Sequence, residues 1–244
     1  MKQLLLQANK IALKYFCKSL DKSDKAKAYL FKRLQKETIQ KFFLGYAPKR
    51  GLIDFLKKNN IEINTALKAG LIQLNDDKSP YEIFTNRIMF PVFNNGQVVG
   101  FGGRTIIDHD IKYLNSRETL LYNKGELLYI LDYAKQPIHK LDYAIMVEGY
   151  FDVLSLIENK IRNVIGTCGT ACREEHALLL RRWTDEVYTC FDGDKAGREA
   201  QVRAKKTLEH FNIYGGNMEL PDAYDPDDFI KEFGKDKFLA LKNS

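Results

Sequence analysis

Nowhere in the 244 residues does an uninterrupted apolar run approach the roughly 18 that a membrane-crossing helix needs. The opening Met1-Lys2-Gln3-Leu4-Leu5-Leu6 turns polar too soon for a secretory signal. Both features point away from membrane-spanning and exported classes, and the expectation is a cytoplasmic globular protein with no membrane partner. Cysteine is scarce: Cys17, Cys168, Cys172 and Cys190 include no Cys-x-x-Cys pair and no histidine at zinc-finger spacing. Neither a disulfide framework nor a zinc site is therefore expected. His109, His139, His176 and His210 are equally isolated and read as surface or core residues. Internal repeats and low-complexity linkers are also missing, which sets aside repeat architectures.

What is present is a balanced globular composition, 45% hydrophobic and 29% charged, enough to bury a sizeable core and to divide into two domains. The net charge of +6 is unevenly spread. Residues 1–125 hold 22 Lys and Arg against 11 Asp and Glu, a balance of +11; the remainder holds 16 against 21, or −5. A basic half suits a polyanion, because each cation placed near a phosphate releases condensed counterions, and an acidic half concentrates divalent cations.

The first 70 residues read as short helices, with apolar positions at Leu5, Leu6, Ile11, Leu13, Tyr15 and Phe16, at Tyr29, Leu30 and Leu34, and at Ile39, Phe42 and Phe43. Asp21 and Ser23 are candidate caps near the second helix. Strands are expected at 81–84, 87–93 and 98–101, the last two joined by the hairpin signal Asn94-Asn95-Gly96. From about Asp142 the pattern changes to short apolar runs at 144–147, 163–166 and 187–191, with a fourth strand expected around Asn217 to Leu220. Helices fall between them near 151–159, 173–182 and 195–210. Continuous apolar strands separated by crossover helices imply a mostly parallel sheet covered on both faces.

Ligands of such a sheet collect beyond the carboxyl ends of its strands. Glu148 follows the first strand, and Asp192 and Asp194 follow the third, with Gly193 between them to let the backbone turn. Asp225-Pro226-Asp227-Asp228 follows the expected fourth strand, where Pro226 restricts the backbone. Singly, Glu148, Asp192 or Asp194 would serve as helix caps. Together at separate strand ends they point to a cation, since clustered carboxylates repel unless one sits among them. Hard oxygen ligands favour magnesium, with manganese as the alternative.

The segments Val147-Glu148-Gly149-Tyr150-Phe151-Asp152-Val153 and Cys190-Phe191-Asp192-Gly193-Asp194-Lys195-Ala196-Gly197 resemble the TOPRIM signature of primases, topoisomerases and some nucleases. Upstream, Phe43 to Pro48, Arg87 to Pro91, Val99 to Arg104, Lys112 to Ser116 and Tyr122 to Gly125 resemble, in order and spacing, the core of bacterial DnaG-type primases. The resemblance implies an α/β fold: a mixed α/β N-terminal subdomain over 1–135 that binds template and nucleotide, then a Rossmann-like TOPRIM subdomain over 136–244. It implies that Glu148, Asp192 and Asp194 are catalytic metal ligands supplemented by Asp152, Asp225 and Asp227. It also implies that Arg104, Lys112, Asn115 and Lys124 meet template, primer or nucleotide phosphates. Two departures stand out. Arg173 occupies a place where a hydroxyl residue is more usual, which removes the basis for a nucleotide or capping role there, and Arg117 stands where Pro is usual.

The expected function is metal-dependent RNA primer synthesis. Its partners would be a single-stranded DNA template, ribonucleoside triphosphates and the RNA primer, in the replisome of the bacterial nucleoid. The chain shows no sequence for the zinc-binding module or the C-terminal helicase-binding domain of the family, so contact with a replicative helicase is expected only through that other domain. The alternatives are a TOPRIM nuclease using the same carboxylates and a non-catalytic nucleic-acid-binding scaffold.

Overall fold

The computed structural model describes residues 1–167, 169 and 171–243; Cys168 and Thr170 lie outside the described residues. The chain folds as two compact units, residues 1–123 and 124–244. Among the described residues no helix is long and apolar enough to cross a membrane. Cys17, Cys172 and Cys190 are free thiols.

In the first unit the initial apolar positions form one helix of 20 residues, α1 (Lys2–Asp21), rather than a short one. Leu5, Ala8, Ala12, Phe16 and Leu20 recur every three or four residues, so a single stripe is buried along its length. Phe16 meets Phe101 edge-on with ring centroids 5.2 Å apart. Helices α2 (Asp24–Phe31), α3 (Lys36–Lys41), α4 (Leu52–Lys58) and α5 (Ile63–Lys68) follow, with strand β1 (Gly45–Ala47) between α3 and α4. Ser23 is the cap of α2, its hydroxyl accepting from the Ala26 N–H at 3.2 Å. Strands β2 (Ile72–Leu74) and β3 (Pro80–Glu82) make a separate antiparallel pair. The main sheet has the order β1-β4-β5-β6, with β4 (Arg87–Asn94), β5 (Gln97–Thr105) and β6 (Tyr113–Asn115), all pairs antiparallel. Asn95 and Gly96 both take positive φ, 52° and 74°, as a tight two-residue hairpin requires.

The second unit opens with a 3-10 turn, Lys124–Glu126, and helix α6 (Leu131–Leu141). Then come β7 (Ala144–Val147), α7 (Tyr150–Glu158), β8 (Val164–Gly166), α8 (Glu174–Leu180), β9 (Val187–Thr189), α9 (Lys195–His210) and α10 (Pro226–Ala240). The sheet is parallel with order β8-β7-β9, the α/β arrangement expected. Ala144 and Met146 of β7 join Ile138, Ala177, Leu180, Ala204 and Leu208 in one core, so α6, α8 and α9 share a face. Helix α7, buried continuously from Tyr150 to Ile157, packs against β8 and α10.

The expected fourth strand does not form. Gly215, at φ 136°, lies so close to Val187 that a Cβ would fall 2.1 Å from its carbonyl oxygen, so the chain passes tightly beside β9 there. Only isolated parallel bridges, Glu186 with Tyr214 and Thr189 with Asn217, run beside β9. Helices α6 and α10 are additional to the expected set.

Candidate metal centre and nucleic-acid interface

Glu148 leaves the carboxyl end of β7, and Gly149 begins α7 as its N-cap. Gly149 has no capping side chain, so Asp152, three residues on, reaches back to accept the Gly149 N–H at 2.9 Å. That bond draws the Asp152 carboxylate inward, leaving the residue 7% exposed. Beyond β9, Asp194 caps α9 by accepting the Gly197 N–H at 2.7 Å. Of the carboxylates that would serve singly as caps, Asp194 alone does so; α7 and α9 are capped without Glu148 or Asp192.

Gly193 is required for closeness rather than for a turn. A Cβ there would fall 2.1 Å from the Pro221 carbonyl oxygen, and its N–H donates to the Tyr224 carbonyl at 2.8 Å. The Asp192–Asp194 loop is thus stitched to the segment that delivers Asp225. Asp225 caps α10 by accepting the Asp228 N–H at 2.7 Å, with Pro226 in the first turn, where its missing N–H goes unused.

The acidic groups form two linked sets. Glu148 is pushed up to about 7 by burial, then by the charges of Asp192 and Asp194, with Arg203 pulling the other way. Asp152 is raised well above the carboxylate range by burial, then by Asp225, Asp192 and Asp227. Asp225 is raised chiefly by burial, with Asp228 and Asp227 adding their charges. The closest-set carboxylates among the described residues are Asp225, Asp227 and Asp228, whose oxygens lie within 4.8 Å of one another. Asp227 is already engaged: it accepts from the Ser155 hydroxyl and pairs with Lys231 at 2.6 Å, while 2% exposed. Half-buried Glu148 and Asp192 and exposed Asp194 instead keep a side open to water. Strained, partly solvated carboxylates fit a hard cation that retains waters, and the chemistry and exposure of Glu148, Asp192 and Asp194 suit that role.

The cationic residues lie elsewhere. Arg104, Lys112 and Asn115 belong to the first unit, where Arg104 pairs with Tyr113 and Gly102 with Asn115 across β5 and β6. The Arg104 guanidinium lies over the Tyr113 ring, 4.8 Å from its centroid, and its buried Nε has no hydrogen-bond partner. Lys112 is exposed, at the end of the connection from β5 to β6. Buried Arg87 holds that connection by donating to the carbonyls of Gly103 (3.2 Å), Lys112 (3.2 Å) and Ile111 (2.9 Å). The sequence signal for this role is slight, a cation directly preceding the apolar run Ile88-Met89-Phe90. Lys124 opens the second unit, in a turn seated against α8.

Residues 15–135 match a family described as the DNA primase catalytic core, N-terminal domain, and residues 145–230 match a Toprim-like family. DNA primase of Clostridium acetobutylicum is 39% identical over 97% of this chain and 40% of its own length. A solved structure of Aquifex aeolicus primase, comprising zinc-binding and RNA polymerase domains, superposes with TM-score 0.93 at 36% identity, covering 99% of this chain and 61% of that one. A DnaG primase catalytic domain bound to single-stranded DNA superposes with TM-score 0.89 at 34% identity, covering 99% of this chain and 81% of that one. The chain belongs to the DnaG-type primase family. Its Toprim-like match contains Glu148, Asp152, Asp192, Asp194, Asp225 and Asp227, and the primase N-terminal match contains Arg104, Lys112, Asn115 and Lys124. A Toprim-like region bearing an acidic cluster is consistent with divalent metal binding. The chain spans about two fifths of the length of the Clostridium primase it matches.

Proposed function

We propose that the chain is the RNA-polymerising core of a primase, adding ribonucleotides to a short RNA on a single-stranded DNA template in the cytoplasm. The observation that carries this reading is Glu148 at the end of β7, pushed up to about 7 by burial and then by the charges of Asp192 and Asp194, inside a Toprim-like match. The kinship with a catalytic domain bound to single-stranded DNA supports the template. Glu148, Asp192 and Asp194 would hold magnesium or manganese, which when bound shields charge on the transferring phosphorus. Asp152, Asp225 and Asp227 supplement the negative field, with Asp152 fixed by the Gly149 N–H and Asp227 by Ser155 and Lys231. Arg104, Lys112, Asn115 and Lys124 take the phosphates of template, primer or nucleotide, with residues 1–135 as the binding subdomain and 136–244 as the catalytic one. In the reaction a primer 3′ oxygen bonds to the α-phosphorus, the bond to pyrophosphate breaks, and the hydroxyl proton leaves to solvent.

Asp194→Asn separates this reading from its rival. Asn is as good an N-cap as Asp, so α9 and the fold are expected to persist while a metal-binding charge is lost. The assay pairs radiolabelled ribonucleotide incorporation with cleavage of an end-labelled oligonucleotide, with magnesium or manganese and a single-stranded template. Metal-dependent incorporation that disappears in Asp194→Asn is expected. Metal-dependent cleavage that disappears in the same variant, with no incorporation under any condition, would overturn the polymerase reading in favour of a nuclease.

A further inference from the structure

His176 sits in the first turn of α8, fully buried, with both ring nitrogens engaged. Nδ1 lies 3.2 Å from the Arg173 main-chain N–H, which can only donate, so Nδ1 accepts. The ring proton therefore resides on Nε2, which lies 2.8 Å from the Lys124 carbonyl oxygen and donates to it. Burial, followed by the charge of Arg173, lowers the His176 pKa and keeps the ring neutral. Backbone hydrogen bonding at Lys124 and Leu127 and the charge of Glu175 work in the opposite direction. The contact extends beyond one bond: a Cβ at buried Gly125 would come 3.3 Å from both Arg173 Cδ and Glu175 Oε2, so the turn lies directly on α8.

We propose that His176 is a positioning residue for Lys124, its neutral imidazole fixing the Lys124 carbonyl and thereby where the Lys124 ammonium meets a phosphate. This rests on the phosphate-binding role proposed for Lys124. A 3-10 turn of three residues has too few hydrogen bonds to hold itself rigid. Without an external anchor, a lysine on it would lose orientation entropy on each binding event. The anchor comes from a residue 52 positions away, which ties the turn to a helix of the sheet's core.

Asparagine at 176 can place its Oδ1 where Nδ1 was, keeping the Arg173 bond, but is too short to reach Lys124; glutamine is long enough to place its Nε2 near the lost donor. The full chain is assayed for nucleotide incorporation and for anisotropy of a fluorescein-labelled single-stranded oligonucleotide. Lys124→Ala is expected to raise the KM for nucleotide, or the Kd for the oligonucleotide, about five- to tenfold, as loss of one charge-assisted contact would. His176→Asn should raise the same constant about three- to fivefold with kcat unchanged, and His176→Gln should restore it to within about twofold of wild type. In the Lys124→Ala background His176→Asn should add nothing. Additive effects, or wild-type constants in His176→Asn while Lys124→Ala is impaired, would overturn the positioning role alone. Lys124→Ala with wild-type constants would overturn the phosphate-binding reading, and this role with it. If His176→Asn fails to fold, amide exchange of the folded chain decides: amides of residues 124–126 protected with the core of α8 support the anchor, and exchange as fast as in exposed loops would overturn it.

Discussion

Glu148 combines burial, which disfavours its charge, with two neighbours of like charge. In the unfolded chain it ionises in the ordinary carboxylate range; in the folded chain it does so at about 7. The folded state therefore binds the proton more tightly, and metal-free stability must fall as pH rises from the ordinary range toward 7. After discounting for partial solvent exposure, the tilt amounts to about 1–3 kcal/mol. Asp152 and Asp225, raised by burial and the same kind of neighbours, tilt stability in the same direction. Asp192→Asn removes one repelling charge, so in chelator it is expected to melt higher than wild type at neutral pH and to show a shallower decline from about pH 5 to about pH 7. Magnesium should flatten the wild-type curve and leave the variant nearly unmoved, because a cation satisfies the carboxylates that repel each other. Thermal melts over that range decide it; a flat wild-type curve in chelator would remove the basis for treating these carboxylates as a strained set.

Arg87 shows how an element carries a residue into position. Residues 106–112 are held at their ends by the Ile106 N–H to the Asn86 carbonyl and the Thr105 N–H to the Lys112 carbonyl, and the guanidinium adds bonds to the carbonyls of Ile111 and Lys112, as well as Gly103 on β5. Arg87→Met keeps the apolar stem but takes the guanidinium donor from the Ile111 and Gly103 carbonyls and leaves the Lys112 carbonyl with the Thr105 N–H, which is expected to cost about 2–4 kcal/mol. Amide exchange around Lys112 should quicken before the β4–β5 hairpin opens; equal protection of both in the variant would show that the connection holds itself. Nothing in the local sequence announces this contact, because its partners lie 16 to 25 residues away. The hairpin was legible because Asn95-Gly96 encodes its own geometry, and the carboxylates were legible because strand ends locate them. Helix α6 was hidden by Pro137 within it, and α10 by the non-helical Gly234 that kinks it. Met218 and Leu220 are buried as a fourth strand would require, yet β9 ends at Thr189 and the segment beside it makes only isolated bridges. The candidate carboxylates could therefore be placed at strand ends from the sequence, while the contacts that support the proposed phosphate ligands, Arg87 under Lys112 and His176 under Lys124, exist only in three dimensions.

At the scale of the whole molecule, the +11 balance of residues 1–125 and the −5 of the remainder assign attraction and repulsion of a polyanion to different parts of one chain. Net charge alone would make every lysine contribute a little to the salt dependence of binding, through the general field. Direct phosphate contacts behave differently, because each releases its own condensed counterions and contributes a fixed increment to the slope of log affinity against log salt. For single-stranded DNA that increment is about 0.7 per contact, so Lys112→Ala and Lys124→Ala are each expected to flatten the slope by about 0.7 to 1. Lys57→Ala removes a charge of the same sign from the exposed face of α4, and its slope should change by much less. Affinity for a labelled single-stranded oligonucleotide, titrated at several salt concentrations, measures all three. If the three lysines flatten the slope equally, binding follows the summed field of the basic half and no assigned contact. A flattening confined to Lys112 and Lys124 would mean that the two turns anchored from below by Arg87 and His176 are where the chain grips phosphate.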